Sequence, residues 1–279
     1  MAKFSIAFGK LSLNHHGTVE DLIDYSYEIL KNTEPIHISK ESNTIVGFLD
    51  IQIKVIEGFR YLVGFYGYAL GDKYRTIDST NKTISEQKYP LPPFKGEAMF
   101  LLMESGYLIF EEKSSSYIDP EKIKNAFEHA FREYAFEIPV NIQMLELSND
   151  LETMVEFVRS LKKLFLIEFS SIRHSNPSPR SKFFDEAADA RIDNMTESTT
   201  NPEGIDRESE LFKNQISHIQ HSYGRIRRAE GQDNYGFREM ELEQGKIKLT
   251  VVIENQETDT KIKKMLSIFS QIKDKLSLD

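Results

Sequence analysis

Apolar residues recur along this chain at the two spacings that mark secondary structure, every second position for strands and every third or fourth for helices. Residues 3–13 alternate and read as a strand, broken by Asn14-His15-His16-Gly17. Thr18 then caps a helix running to about Lys31, with Val19, Leu22, Ile23, Ile29 and Leu30 on one side and Glu20 and Asp21 at its positive end. Two strand runs follow, 43–57 and 59–70, divided at Gly58; Gly64 and Gly67 inside the second signal a bulge or bend. Residues 71–95 are polar, end in Tyr89-Pro90-Leu91-Pro92-Pro93-Phe94, and read as a loop.

The next stretch alternates strands and helices. Residues 99–103 and 107–111 form a hairpin around Glu104-Ser105-Gly106. Asp119-Pro120-Glu121 starts a helix with a capping carboxylate, a proline at the first helical position and an acid in the first turn. Ile123, Phe127, Ala130, Phe131 and Tyr134 make its apolar face. A strand over 140–147, a helix opened by Ser148-Asn149-Asp150, and a strand over 164–172 complete the run.

Further on, Ser181 caps a helix to about Met195 that carries Phe183 and Phe184. Residues 196–204 hold no apolar side chain and read as a mobile loop. A helix over 205–221 precedes three strands, 223–228, 236–243 and 246–254. A last amphipathic helix from Thr258 carries Ile262, Leu266, Phe269, Ile272 and Leu276. No repeat at a fixed period occurs. The pattern predicts an α+β fold of mainly antiparallel sheets with helices packed on one face, around a central β-β-α-β-α-β unit. Its organisation is a β-rich region with one helix over 1–95, an α+β sandwich over 96–180, and helices with a three-stranded sheet over 181–279, which can be continuous with the units before it.

Composition narrows the chemistry. The 279 residues are 39% hydrophobic, with 19 Phe and 12 Tyr to fill a core and no Trp. Cysteine is absent, which removes disulfides, thiolate metal sites and a cysteine nucleophile. The N-terminus reads as a strand and not as a signal peptide, and no apolar run reaches the ~18–20 residues of a membrane helix. A cytoplasmic protein without membrane contact is expected. A net charge of −9 argues against a polycation that coats nucleic acid, but not against a local basic patch.

One such patch is readable. The strand ending at Ile172 runs into Arg173-His174-Ser175-Asn176-Pro177-Ser178-Pro179-Arg180, a proline-marked turn that displays Arg173, His174, Asn176 and Arg180 together. In Tyr223-Gly224-Arg225-Ile226-Arg227-Arg228, period 2 puts Arg225 and Arg227 on one face. With Lys182 these residues suit phosphate, which matches the guanidinium fork, while Tyr223 and Tyr235 offer stacking surfaces for unpaired bases. The competing outcome is neutralisation, since acids nearly balance bases between 171 and 230.

Other chemistry is weaker. His15 and His16 point to opposite sides of an extended chain, and His218 and His221 lack a companion acid, so no metal site is assigned. Gln52 and Lys54, with Asp50 or Glu41, resemble half of a metal-dependent nuclease centre, which needs oxygen ligands and room for phosphate. No phosphate-binding loop, dinucleotide fingerprint, nucleophile elbow or His-Glu-x-x-His motif occurs, and no cofactor is expected. The Phe127/Phe131 and Phe183/Phe184 stripes belong to a core.

Across residues 45–180, the glycine-containing meander at Tyr61–Tyr68, the hairpin, the Phe127–Phe136 helix, the following strand and helix, and the strand entering Ser175-Asn176-Pro177 together resemble an uncharacterised bacterial family, the domain of unknown function 4747. The chain has Ser175 where the family's turn carries Pro. The resemblance implies a place in anti-phage gene neighbourhoods and no defined activity. The expectation is an accessory protein of phage defence that binds nucleic acid, or a protein encoded in the same operon, through the arginine face. A magnesium-dependent nuclease and a structural assembly subunit are the alternatives, the latter a homo-oligomer built through the C-terminal helix.

Overall fold

A computed structural model describes residues 2–13, 21–39, 44–69, 73–78, 83–88, 94–112, 118–134, 140–148, 151–172, 194–222, 225–233, 236–243, 246–253 and 257–278. The chain is α+β, an antiparallel sheet architecture with helices packed against it. It divides into two compact units, Ala7–Leu145 and, joined to Met1–Ile6, Glu146–Leu278.

The first unit contains β1 (Ala2–Leu13, from Ala7), α1 (Leu22–Asn32), β2 (Ile36–Ser39), β3 (Thr44–Ile56), β4 (Phe59–Ala69), β5 (Lys73–Asp78), β6 (Thr83–Lys88), β7 (Phe94–Met103), β8 (Tyr107–Glu112), α2 (Pro120–Tyr134) and β9 (Val140–Leu147, to Leu145). Its strands lie in the order β1-β8-β7-β4-β3-β2, and β9 pairs with residues 8–13 of β1. Leu62, Phe100, Leu102, Leu108 and Phe110 point from the sheet into a core closed by Ile23 and Leu30 of α1 and Phe127 and Phe131 of α2. Phe127 meets Phe100 and Phe48 edge-on at centroid distances of 4.9 and 5.0 Å, the geometry that ring quadrupoles favour.

The cap of α1 is Asp21. Its carboxylate accepts the N–H groups of Ile23 and Asp24, both at 3.0 Å, and pairs with Arg60 of β4, which also reaches Asp24. Thr18, the cap expected from the sequence, lies outside the described residues. The Asp24 N–H lowers the Asp21 pKa from its ordinary 3.8; partial burial opposes this and Arg60 adds to it. A carboxylate depressed in the folded state stabilises fully above its unfolded pKa, and that contribution disappears as pH falls through the lower folded value. Asp21→Ala is therefore expected to lose about 1 kcal/mol at pH 7. The deficit relative to wild type should vanish in strong acid, as read from urea midpoints across pH. A pH-independent deficit would mean that the charge plays no part.

In the second unit, α3 (Leu151–Ser160), β10 (Lys163–Ile172), β11 (Asn194–Thr200), α4 (Glu210–Ser222), β12 (Arg225–Asp233), β13 (Gly236–Glu243), β14 (Lys246–Ile253), α5 (Thr258–Ile272) and β15 (Leu276–Leu278) follow in chain order. The sheet runs β11-β10-β12-β13-β14 and ends on residues 2–6 of β1. Of the expected C-terminal stripe, Ile262, Phe269 and Ile272 are buried, whereas Leu266 is half-buried and Leu276 falls in β15; Met265 and Ile268 complete the buried face of α5. The expected β-β-α-β-α-β order is present along the chain as β7-β8-α2-β9-α3-β10.

Two stretches expected as loops are strands. Residues 73–78 and 83–88 pair as the antiparallel strands β5 and β6, in register from Lys73 and Lys88 to Asp78 and Thr83. Residues 194–200, expected as a helix end and a mobile loop, form β11, paired along its length with Leu166–Ile172. A strand at a sheet edge needs no apolar face, and the sequence Asn-Met-Thr-Glu-Ser-Thr-Thr combines β-branched threonines with the polarity that protects an exposed edge.

Candidate functional site

The arginines of β12 occupy one end of the second unit's sheet. Arg225 lies opposite Ser170 of β10, and the register slips by one residue between Glu168 and Phe169, which makes Arg227 the extra residue of a bulge. Both arginines stand exposed at this strand end, on either side of Ile226, which is fully buried against the core. Among the described residues neither forms an ion pair.

Arg228, one residue further, has the opposite fate. Its guanidinium pairs with Glu230 and, at 2.8 Å, with Glu239, a carboxylate only 3% exposed. Burial works to lower its pKa, but Glu239, Glu230, Glu241 and Glu168 outweigh that and hold the charge more firmly than usual. Cross-strand register explains the choice: Arg228 lies directly opposite Glu241 on β13 and Glu168 on β10, and Glu230 opposite Glu239. The neutralisation expected for the arginine strand thus falls on Arg228.

Arg173, His174, Asn176 and Arg180 lie outside the described residues, as do Lys182, Tyr223 and Tyr235. The strand end from which 173–180 continue is described. Ile172 closes β10 two residues beyond Ser170, the partner of Arg225, and pairs with Asn194, where the chain re-enters β11. Both ends of the 173–193 connection therefore leave from the sheet end that carries Arg225.

The nuclease candidates sit elsewhere, in the first unit. Asp50 is exposed, with φ 49°, at an irregularity of β3 between Leu49 and Gln52. Gln52 is exposed and Lys54 half-buried. Glu41, His15 and His16 are outside the described residues, and the side chains of His218 and His221 on α4 are too. Among the described residues no three His, Asp or Glu side chains gather in a way that could hold a metal ion. No described helix is long and apolar enough to cross a membrane.

Sequence reasoning passed over Arg207. Its guanidinium donates to the carbonyls of Val158 at 3.1 Å, Arg159 at 3.2 Å and Lys162 at 3.3 Å, closing the C-terminal end of α3 from a loop more than forty positions away. No local signal announces such a cap, because both donor and acceptors look ordinary in their own neighbourhoods. Comparison with protein-family models and with curated proteins gives no match for this chain.

Proposed function

We propose that this protein is a binding module of bacterial phage defence, acting by binding rather than by catalysis, and that its ligand is nucleic-acid backbone. The face involved carries Arg225 and Arg227, together with Arg173, His174, Asn176 and Arg180 from the connection that starts beside them. One observation carries the reading: Arg225 and Arg227 are exposed without an ion pair among the described residues, while Arg228 beside them takes up the neighbouring carboxylates. Uncommitted guanidinium forks on a rigid strand suit phosphate oxygens. The defence context rests on the resemblance of residues 45–180 to the bacterial family.

A gel-shift titration tests it, with single- and double-stranded DNA and RNA at several salt concentrations. Wild type should bind with an affinity that falls steeply as salt rises. Arg225→Ala/Arg227→Ala should weaken binding and flatten the slope of log K against log salt by about 1.5, as expected for two lost phosphate contacts. Equal affinity and slope in the two proteins would remove the assignment. Both positions are exposed, so the variant should keep its fold, which circular dichroism checks.

A further inference from the structure

A cleft of about 710 Å³ opens between the C-terminal half of α3, the 205–208 loop and the first turns of α4. Small-molecule sites commonly fall between roughly 300 and 1,000 Å³. Its lining is mixed: Val155 and Val158 of α3 and Phe212 and Ile216 of α4 form the apolar part, with Val155, Val158 and Phe212 largely buried, and Arg159, Lys162, Asp206, Arg207, Glu208 and Lys213 form the polar part.

The charges around the opening sort into committed and uncommitted groups. Glu208 pairs with Lys213 at 2.7 Å. Asp206 accepts the backbone N–H of Glu208 at 2.9 Å, a turn that points its carboxylate at its own loop. Arg207 is tied to the three carbonyls that end α3, so its charge answers the negative end of the helix. Arg159 and Lys162 are exposed and, among the described residues, form no ion pair. Among the described residues, two cations without an ion pair therefore share this cleft with a small group of apolar side chains.

A neutral occupant would leave both cations unanswered, and a purely polar anion would leave the apolar side chains wet. We propose that this cleft binds a small amphipathic anion, its apolar body on Val155, Val158, Phe212 and Ile216 and its anionic head on Arg159 and Lys162. The site is separate from the arginines of β12. The cleft loop hydrogen-bonds to the start of β10, Ile205 N–H to Leu164 O at 2.6 Å, whereas Arg225 pairs with Ser170. Six residues of strand, about 20 Å, separate those two points. Failure of one site therefore leaves the other standing.

Fluorescence titration of the full chain with 8-anilinonaphthalene-1-sulfonate, itself an amphipathic anion, is the direct test. One saturable site is expected, weakened about tenfold or more in Arg159→Ala/Lys162→Ala, the scale of a lost charge-assisted contact. Lys162→Glu, a single exposed change, should weaken it in the same direction and provides a second variant if the double one folds poorly. Dodecanoate and 1-naphthyl phosphate serve as competitors that separate an acyl carboxylate from an aryl phosphate ligand, and displacement by either supports the site. Absence of saturable binding, equal affinity in the variants, displacement by neither competitor, or equal displacement by neutral dodecanol would overturn the proposal.

Discussion

Replacing Arg238 with Ala should destabilise the unit formed by Met1–Ile6 and Glu146–Leu278 by about 3–5 kcal/mol, the usual cost of stranding one member of a buried ion pair. Arg238 sits on β13 with its side chain 4% exposed, paired with Asp233 of β12 at 6%. It also donates to Gln271 Oε1 at 2.7 Å and Ser267 Oγ at 3.3 Å, both on α5. One guanidinium thus ties two strands and a helix together where water is excluded. Its truncation removes the α5 contacts and takes from the buried Asp233 carboxylate the guanidinium it pairs with, and that second effect is the larger. Asp233→Ala should be costly for the mirror-image reason. The double replacement Arg238→Met/Asp233→Leu should recover much of the loss, because an apolar pair of similar volume carries no desolvation penalty. Chemical denaturation of wild type, Arg238→Met, Asp233→Leu and the double variant in a double-mutant cycle reads the coupling directly. Additive losses would show that the two residues do not act as a pair.

Gly231→Ala should cost about 3 kcal/mol, at the upper end of what overpacking produces. Gly231 lies in β12 opposite Leu164, beside a register shift of β10. A Cβ there would stand 2.2 Å from the carbonyl oxygen of Lys163 and 2.7 Å from Cδ1 of Leu161. The side chain of Leu161 can rotate away, but the carbonyl belongs to the strand, so β10 and β12 would have to separate locally. That would also disturb the bond from Lys162 N–H to Gln232 O, 2.7 Å long. The expected readout is a lowered denaturation midpoint together with faster hydrogen exchange at residues 163–166 and 229–232. A midpoint equal to wild type would mean that the strands part at no cost. Gly106 makes a useful comparison, since it combines φ +83° with a virtual Cβ 2.5 Å from the carbonyl oxygen of Leu11.

How much was legible beforehand depended on the range of the interaction. Asp119 and Pro120 announced α2, and the Asp119 carboxylate does accept the N–H of Lys122, at 2.8 Å. The β3-β4 turn at Gly58 and the β7-β8 turn at Gly106 fall where the glycines signalled them, with φ +84° and +83°. Phe127 and Phe131 are core, as their spacing required. The misses come from elements whose pattern is polar: β5, β6 and β11 pair through backbone hydrogen bonds, which composition does not record. Of the candidate site, the exposure of Arg225 and Arg227 followed from alternation with Ile226. The bulge, and the capture of Arg228 by Glu230 and Glu239, did not.

The amino-acid sequence by itself determined where the helices and strands with an apolar face form, that the fold is α+β, and that one strand would present arginines. Those outcomes rest on side-chain periodicity, caps and turn glycines, which act within a few residues. Only the tertiary structure decided which strands are neighbours, which arginine its acids neutralise, that Arg207 closes α3, and that Arg159 and Lys162 share a cleft with Phe212 and Ile216. Each of these joins groups distant along the chain, and a pairing of that kind depends on strand register and helix placement, quantities that no local pattern encodes.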